Sequence, residues 1–176
     1  MYGIKFLTID QNCYSLASNC WHRLWQAITN SNKGKRVTQV YEQNEIQLVY
    51  PENWKLTENH SSETLQINIE SPNGCSWDLF VVPVEATREE WMGHLLETMA
   101  EQYDSFEQEV LTFELGEHEL QGYECFFYYL DLLISVHVFS LPSKDGKNRF
   151  VMFQAESREF DSNLEVMRAM TMSLLR

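Results

Sequence analysis

Beyond residue 40 the apolar positions recur mostly every second residue, with two stretches where they recur every three to four. These are the periods of half-buried strands and of amphipathic helices. Glu45–Tyr50 predicts a strand ended by Pro51, and Pro51-Glu-Asn-Trp54 predicts a turn. In Thr64–Glu70, Leu65, Ile67 and Ile69 share one face; Ser71-Pro-Asn-Gly74 then turns the chain into a returning strand, Cys75–Val82. Thr87 with Glu90 three residues later is a capping box, because each side chain can satisfy a free backbone N–H of the other. The helix it opens carries Trp91, Leu95, Met99 and Tyr103 on one stripe, supported by Met92 and Leu96, with Glu89, Glu97 and Glu101 outward.

Glu107–Leu115 alternates again and is broken by Gly116. Tyr123–Leu141 is a long apolar run whose even positions from Phe126 to Val138 are all apolar, while its odd positions mix Phe127, Tyr129, Asp131, Ser135 and His137. One bent strand and a hairpin turning near Asp131 both fit. Lys144-Asp-Gly-Lys147 turns the chain into Arg149–Ala155. A second capping box, Ser162 with Glu165, predicts a closing helix over Ser162–Leu174, with Leu164, Met167, Met170 and Leu174 on its core stripe. Strands, helix, strands, helix, joined by short turns, predict an α+β fold with a largely antiparallel β-sheet packed between helices.

Residues 1–40 stand apart from this body. Leu16, Cys20, Leu24 and Ile28 recur every four residues, with Trp21 and Trp25 beside them, so Asn12–Asn30 fits an amphipathic helix. Asn30–Arg36 reads as a polar, basic linker. The expected division is an N-terminal extension over 1–40 and a domain over 41–176.

The order of elements, with certain phrases, resembles the PsbP-like superfamily, which includes the photosystem II extrinsic protein PsbP, the Ran-binding Mog proteins and bacterial DcrB-like domains. The phrases are Ile46-Gln-Leu-Val-Tyr-Pro-Glu-Asn-Trp54, the Thr87–Tyr103 helix, Leu115-Gly-Glu-His-Glu-Leu-Gln-Gly-Tyr123 before a long strand, and the Glu165–Leu174 helix. The likeness covers about residues 41–176. It implies an antiparallel sheet between helices, and binding, adaptor or chaperone-like roles rather than catalysis.

Charge sharpens the division. The chain of 176 residues has a formal net charge of −13. Residues 1–40 hold Lys5, Arg23, Lys33, Lys35 and Arg36 against Asp10 alone, a net of +4 that leaves −17 for the rest. From Glu89 to Ser143 there are twelve Asp or Glu and no Lys or Arg. Such a body repels phosphate backbones, which argues against nucleic acid, and would attract a basic protein partner or a cation. Cys13, Cys20, Cys75 and Cys125 form no CxxC pair and read as free thiols. With no membrane span and no signal-like apolar region, the expected location is cytoplasmic.

No sequence pattern specifies catalysis. GxSxG, GxxxxGK[ST], GxGxxG and HExxH are all missing. His22, His60, His94, His118 and His137 show no metal spacing, and Glu114, Glu117, His118 and Glu119 around Gly116 match no calcium loop. The expectation is therefore a non-enzymatic protein-binding, adaptor or chaperone-like domain without cofactor. The alternative is a small-ligand or metal-ion site on the sheet face near Tyr129, Asp131 and His137. Candidate partner contacts are these three residues together with Trp21 and Trp25.

Overall fold

The computed structural model describes residues 38–61 and 64–175. Trp21, Trp25 and the expected helix around them lie outside the described residues. The first hairpin joins β1 (Thr38–Gln43) to β2 (Ile46–Pro51). Asn44 and Glu45 both take positive φ in its two-residue turn, the backbone sense that matches the twist of a tight hairpin. Then follow β3 (Lys55–His60), β4 (Leu65–Glu70), β5 (Ser76–Pro83), α1 (Arg88–Gln102), β6 (Glu107–Leu115), β7 (His118–Tyr129), β8 (Leu132–Lys144), β9 (Lys147–Glu156) and α2 (Ser157–Ser173). β3 to β9 form one seven-stranded sheet in the order β3-β4-β5-β9-β8-β7-β6. Every neighbouring pair is antiparallel. The α+β architecture is the one expected.

Two cores lie on the two faces of this sheet. On one, α2 and the β1–β2 hairpin bury Leu48, Ile67, Ile69, Trp77, Leu79, Phe139, Phe153, Met167 and Met170. On the other, α1 buries Met92, Leu95, Leu96 and Met99 against Phe127, Ile134, Val136, Val138 and Phe150. Trp77 shows how the first face is tied down: its ring is fully buried and its Nε1 donates to Thr171 Oγ1 of α2 at 3.0 Å. Because strands alternate, β4 and β5 turn a polar row to the second face, where Asp78 is buried and accepts from Gln66, Asn68 and Ser76 at 2.9–3.1 Å.

Three sequence expectations change in the structure. β1 and β3 are strands to which the sequence assigned no element; β3 follows the expected Pro51–Trp54 turn, in which Trp54 N donates to Pro51 O at 3.0 Å. In β1 only Tyr41 is buried, and in β3 no residue is, so neither strand carries an alternating apolar signal. The closing helix begins at Ser157, not Ser162; Ser162 lies inside it and donates to Glu159 O at 2.8 Å. β9 runs straight into α2, and Ser157 Oγ secures the junction by donating to Leu133 O at 3.1 Å. In α1 the capping box of Thr87 and Glu90 forms as expected. Trp91, however, is only half-buried at the margin of the core, stacked on Phe150 with ring centroids 4.0 Å apart.

Asp78 makes the stability sensitive to pH. Burial raises its carboxyl pKa from 3.8, although three hydrogen bonds to its oxygens oppose the rise. A carboxyl whose folded pKa is raised stabilises the fold while protonated, and that contribution is lost as pH climbs from the ordinary to the raised value. Relative to an Asp78→Asn variant, the wild type is therefore expected to lose stability from about pH 4 upward and then level off. Denaturant midpoints of the two proteins across this range test it; a difference independent of pH would refute it.

Candidate docking site at a hairpin tip

The chain between α1 and β6 turns sharply at Ser105, which takes a φ of 58°. Just before it, Tyr103 caps α1 and its ring stacks on Phe127 of β7, with centroids 3.8 Å apart. This stack sets the end of α1 against the β7–β8 hairpin. That hairpin pairs Tyr129 with Leu132 and so turns through Leu130 and Asp131 alone. Leu130 has a φ of 54°, a left-handed conformation that costs a Cβ-bearing residue roughly 1–2 kcal/mol.

Between the two elements is a hollow of about 380 Å³ lined by Gln102, Tyr103, Asp104, Tyr128, Tyr129 and Leu130. Two apolar side chains of its lining are exposed: Leu130 is 78% accessible and Tyr128 is 56% accessible. Its charge is negative. Asp104 lines the hollow, Asp131 is exposed in the hairpin turn, and none of the residues lining the hollow is a Lys or Arg.

The expected trio of Tyr129, Asp131 and His137 does not share this site. Tyr129 packs on the α1 side and Asp131 sits in the turn. His137 faces the α2 side, 4.4 Å from the Phe160 ring between centroids. The cause is the turn itself. In one straight strand, residues 129, 131 and 137 would share a face. A two-residue turn pairs odd positions of β7 with even positions of β8, so His137 shares a face with Glu124 instead. His137 Nε2 lies 2.8 Å from Glu124 Oε1, while its buried Nδ1 has no hydrogen-bond partner. Burial lowers the His137 pKa, against the pull of Glu124 and Asp161. The lowered pKa and the unpartnered Nδ1 both favour the neutral imidazole, with Nε2 as the nitrogen that meets the Glu124 carboxylate.

Other chemistry among the described residues is sparse. No three His, Cys, Asp or Glu side chains are placed to hold a metal ion. Cys75 and Cys125 are buried and unpaired; burial raises both thiol pKa values, that of Cys125 to about 12, so neither thiolate is available near neutral pH. Gly116, at the centre of the Glu114–Glu119 group, takes a φ of 62° in the β6–β7 turn and packs against the Met172 side chain. No described helix is long and apolar enough to cross a membrane.

No protein-family model and no curated protein sequence matches the chain. Solved structures do. The solution structure of cyanobacterial PsbP (CyanoP) from Synechocystis sp. PCC 6803 is similar with a TM-score of 0.50 at 11% identity, over 82% of this chain and 95% of that one. A Pseudomonas aeruginosa protein of unknown function, PA94, is similar at 0.47 and 9% identity, over 79% and 96% of the two chains. LpqN of Mycobacterium tuberculosis, involved in cell envelope biogenesis, is similar at 0.42 and 12% identity, over 80% and 83%. The chain has the PsbP-like fold.

Proposed function

We propose that the body of this chain is a non-enzymatic protein-binding domain of adaptor or chaperone-like type that engages its partner at the β7–β8 tip. The observation that carries this reading is the exposed pair Tyr128 and Leu130 in the lining of the hollow beside α1. Side chains of this size exposed together around a concavity favour contact with another macromolecule. The absence of cations from Glu89 to Ser143 favours a basic partner. The buried, unpaired Cys75 and Cys125 support a reducing, cytoplasmic setting.

The test uses Leu130→Gly and Tyr128→Ser. Glycine accepts the left-handed backbone at 130 freely, so Leu130→Gly is expected to stay within about 1 kcal/mol of wild-type stability while removing the most exposed large apolar side chain among the described residues. Affinity capture from the native host followed by mass spectrometry should recover a protein with the wild type and lose it with both variants. Recovery of the same protein by both variants would place the contact elsewhere.

A further inference from the structure

β6 is the end strand of the seven-stranded sheet, and no described residue pairs with its outer edge. The β6–β7 hairpin closes on Leu115 and His118 across the two-residue turn of Gly116 and Glu117. In such a hairpin the closing pair exchanges backbone bonds, and alternate pairs beyond it do the same. The odd residues of β6 are therefore bonded inward to β7, and the even residues turn their N–H and C=O outward. A side chain already uses one of these outward groups: Arg168 Nη2 donates to Glu114 O at 2.5 Å. Gln108, Val110 and Thr112 present the rest of the row, and all three are exposed, Val110 by 76%. An open row of this kind is a template for another strand.

Charge decides which strand. Glu107, Glu109 and Glu114 are exposed along β6. A second copy of β6 would bring three more carboxylates and no cation of its own strand, so self-pairing is opposed by repulsion. We propose that β6 accepts an extended, basic segment of a partner protein as an eighth strand. Main-chain bonds run to Gln108, Val110 and Thr112, and Lys or Arg side chains lie over the flanking glutamates. Backbone pairing supplies the affinity, and the glutamates select for positive charge. The proposal rests on the reading of this body as a protein-binding domain and adds the chemistry of the partner. β6 begins three residues beyond Asp104, so the strand site continues from the hollow at the hairpin tip.

The test uses the full chain and three synthetic peptides the length of β6: alternating Lys and Val, alternating Glu and Val, and alternating Lys and Pro. Binding is read by fluorescence anisotropy at about 0.1 M salt, where diffuse surface attraction is partly screened. The Lys–Val peptide is expected to bind, and the Glu–Val and Lys–Pro peptides at least about tenfold more weakly, because one is repelled and the other cannot pair as a strand. Val110→Pro should weaken Lys–Val binding about tenfold or more while keeping the sheet, since the N–H it deletes points outward. If that variant does not fold, Glu107→Lys with Glu109→Lys replaces it, with the same expected loss. Equal binding of the Lys–Val and Lys–Pro peptides, or undiminished binding by the folded variant, would overturn the proposal. So would a full-length dimer that Val110→Pro converts to monomer, because a second copy would then occupy the edge. Leu130→Gly should leave peptide binding unchanged, so loss of the tip contact and loss of the edge contact are read separately.

Discussion

Trp77→Ala is expected to lower stability by about 3–5 kcal/mol, the range for deleting a fully buried large aromatic side chain. Trp77 has no exposed surface and stands near the start of β5, between the partners Ile69 on β4 and Phe153 on β9. Its replacement leaves a cavity beneath α2 and removes the bond from Nε1 to Thr171 Oγ1. Thr171 keeps its own bond to Met167 O, so the loss is dominated by packing, not by an orphaned polar group. For a body of this size the melting temperature should fall by roughly 10 °C or more. Trp77→Phe, which keeps most of the volume, should recover the larger part. A denaturant midpoint showing less than about 1 kcal/mol for Trp77→Ala would mean that the first core is not assembled around this ring.

Gly122→Ala is expected to cost about 3 kcal/mol or more, or to prevent folding, although it adds a single methyl group. A Cβ at 122 would lie 1.9 Å from Val138 O and 2.9 Å from Phe139 Cα. Both are backbone atoms of the neighbouring strand, so no side-chain rotation relieves the clash and β7 must move away from β8. The whole sheet depends on that pairing, because β8 links β7 and β6 to β9. Gly93→Ala is the contrasting case. A Cβ there meets nothing within 4 Å, and alanine is the better helix former, so α1 should gain about 0.5–1 kcal/mol. Urea unfolding of the two variants tests the pair. A Gly122→Ala protein with an unchanged midpoint would show that the strands have room that the structure denies them.

Where local chemistry was strong, the sequence determined structure by itself. Thr87 and Glu90 start α1 because their side chains satisfy the first free N–H groups, whatever lies around them. Ser71-Pro-Asn-Gly74 joins β4 to β5 because Gly74, at a φ of 80°, takes a conformation that other residues resist. The acidic stretch from Glu89 to Ser143 is also plain in the sequence.

Other features depended on contacts between distant residues. β1 and β3 exist because a neighbouring strand completes their backbone bonds, not because their side chains alternate. α2 starts at Ser157 because β9 runs directly into it and Ser157 bonds to Leu133 of β8. The turn at Leu130 carries no glycine, asparagine or proline signal, and only the pairing of β7 with β8 holds a leucine there against its backbone preference. That turn also decides the candidate site. It exchanges odd for even positions, which puts His137 on the α2 face and leaves Tyr129 on the α1 face. Periodicity along one strand cannot contain that exchange, because it follows from how many residues the turn holds and which pair closes it. The hollow beside Tyr129 likewise needs the end of α1, some 25 residues earlier in the chain, brought there by the Tyr103–Phe127 stack.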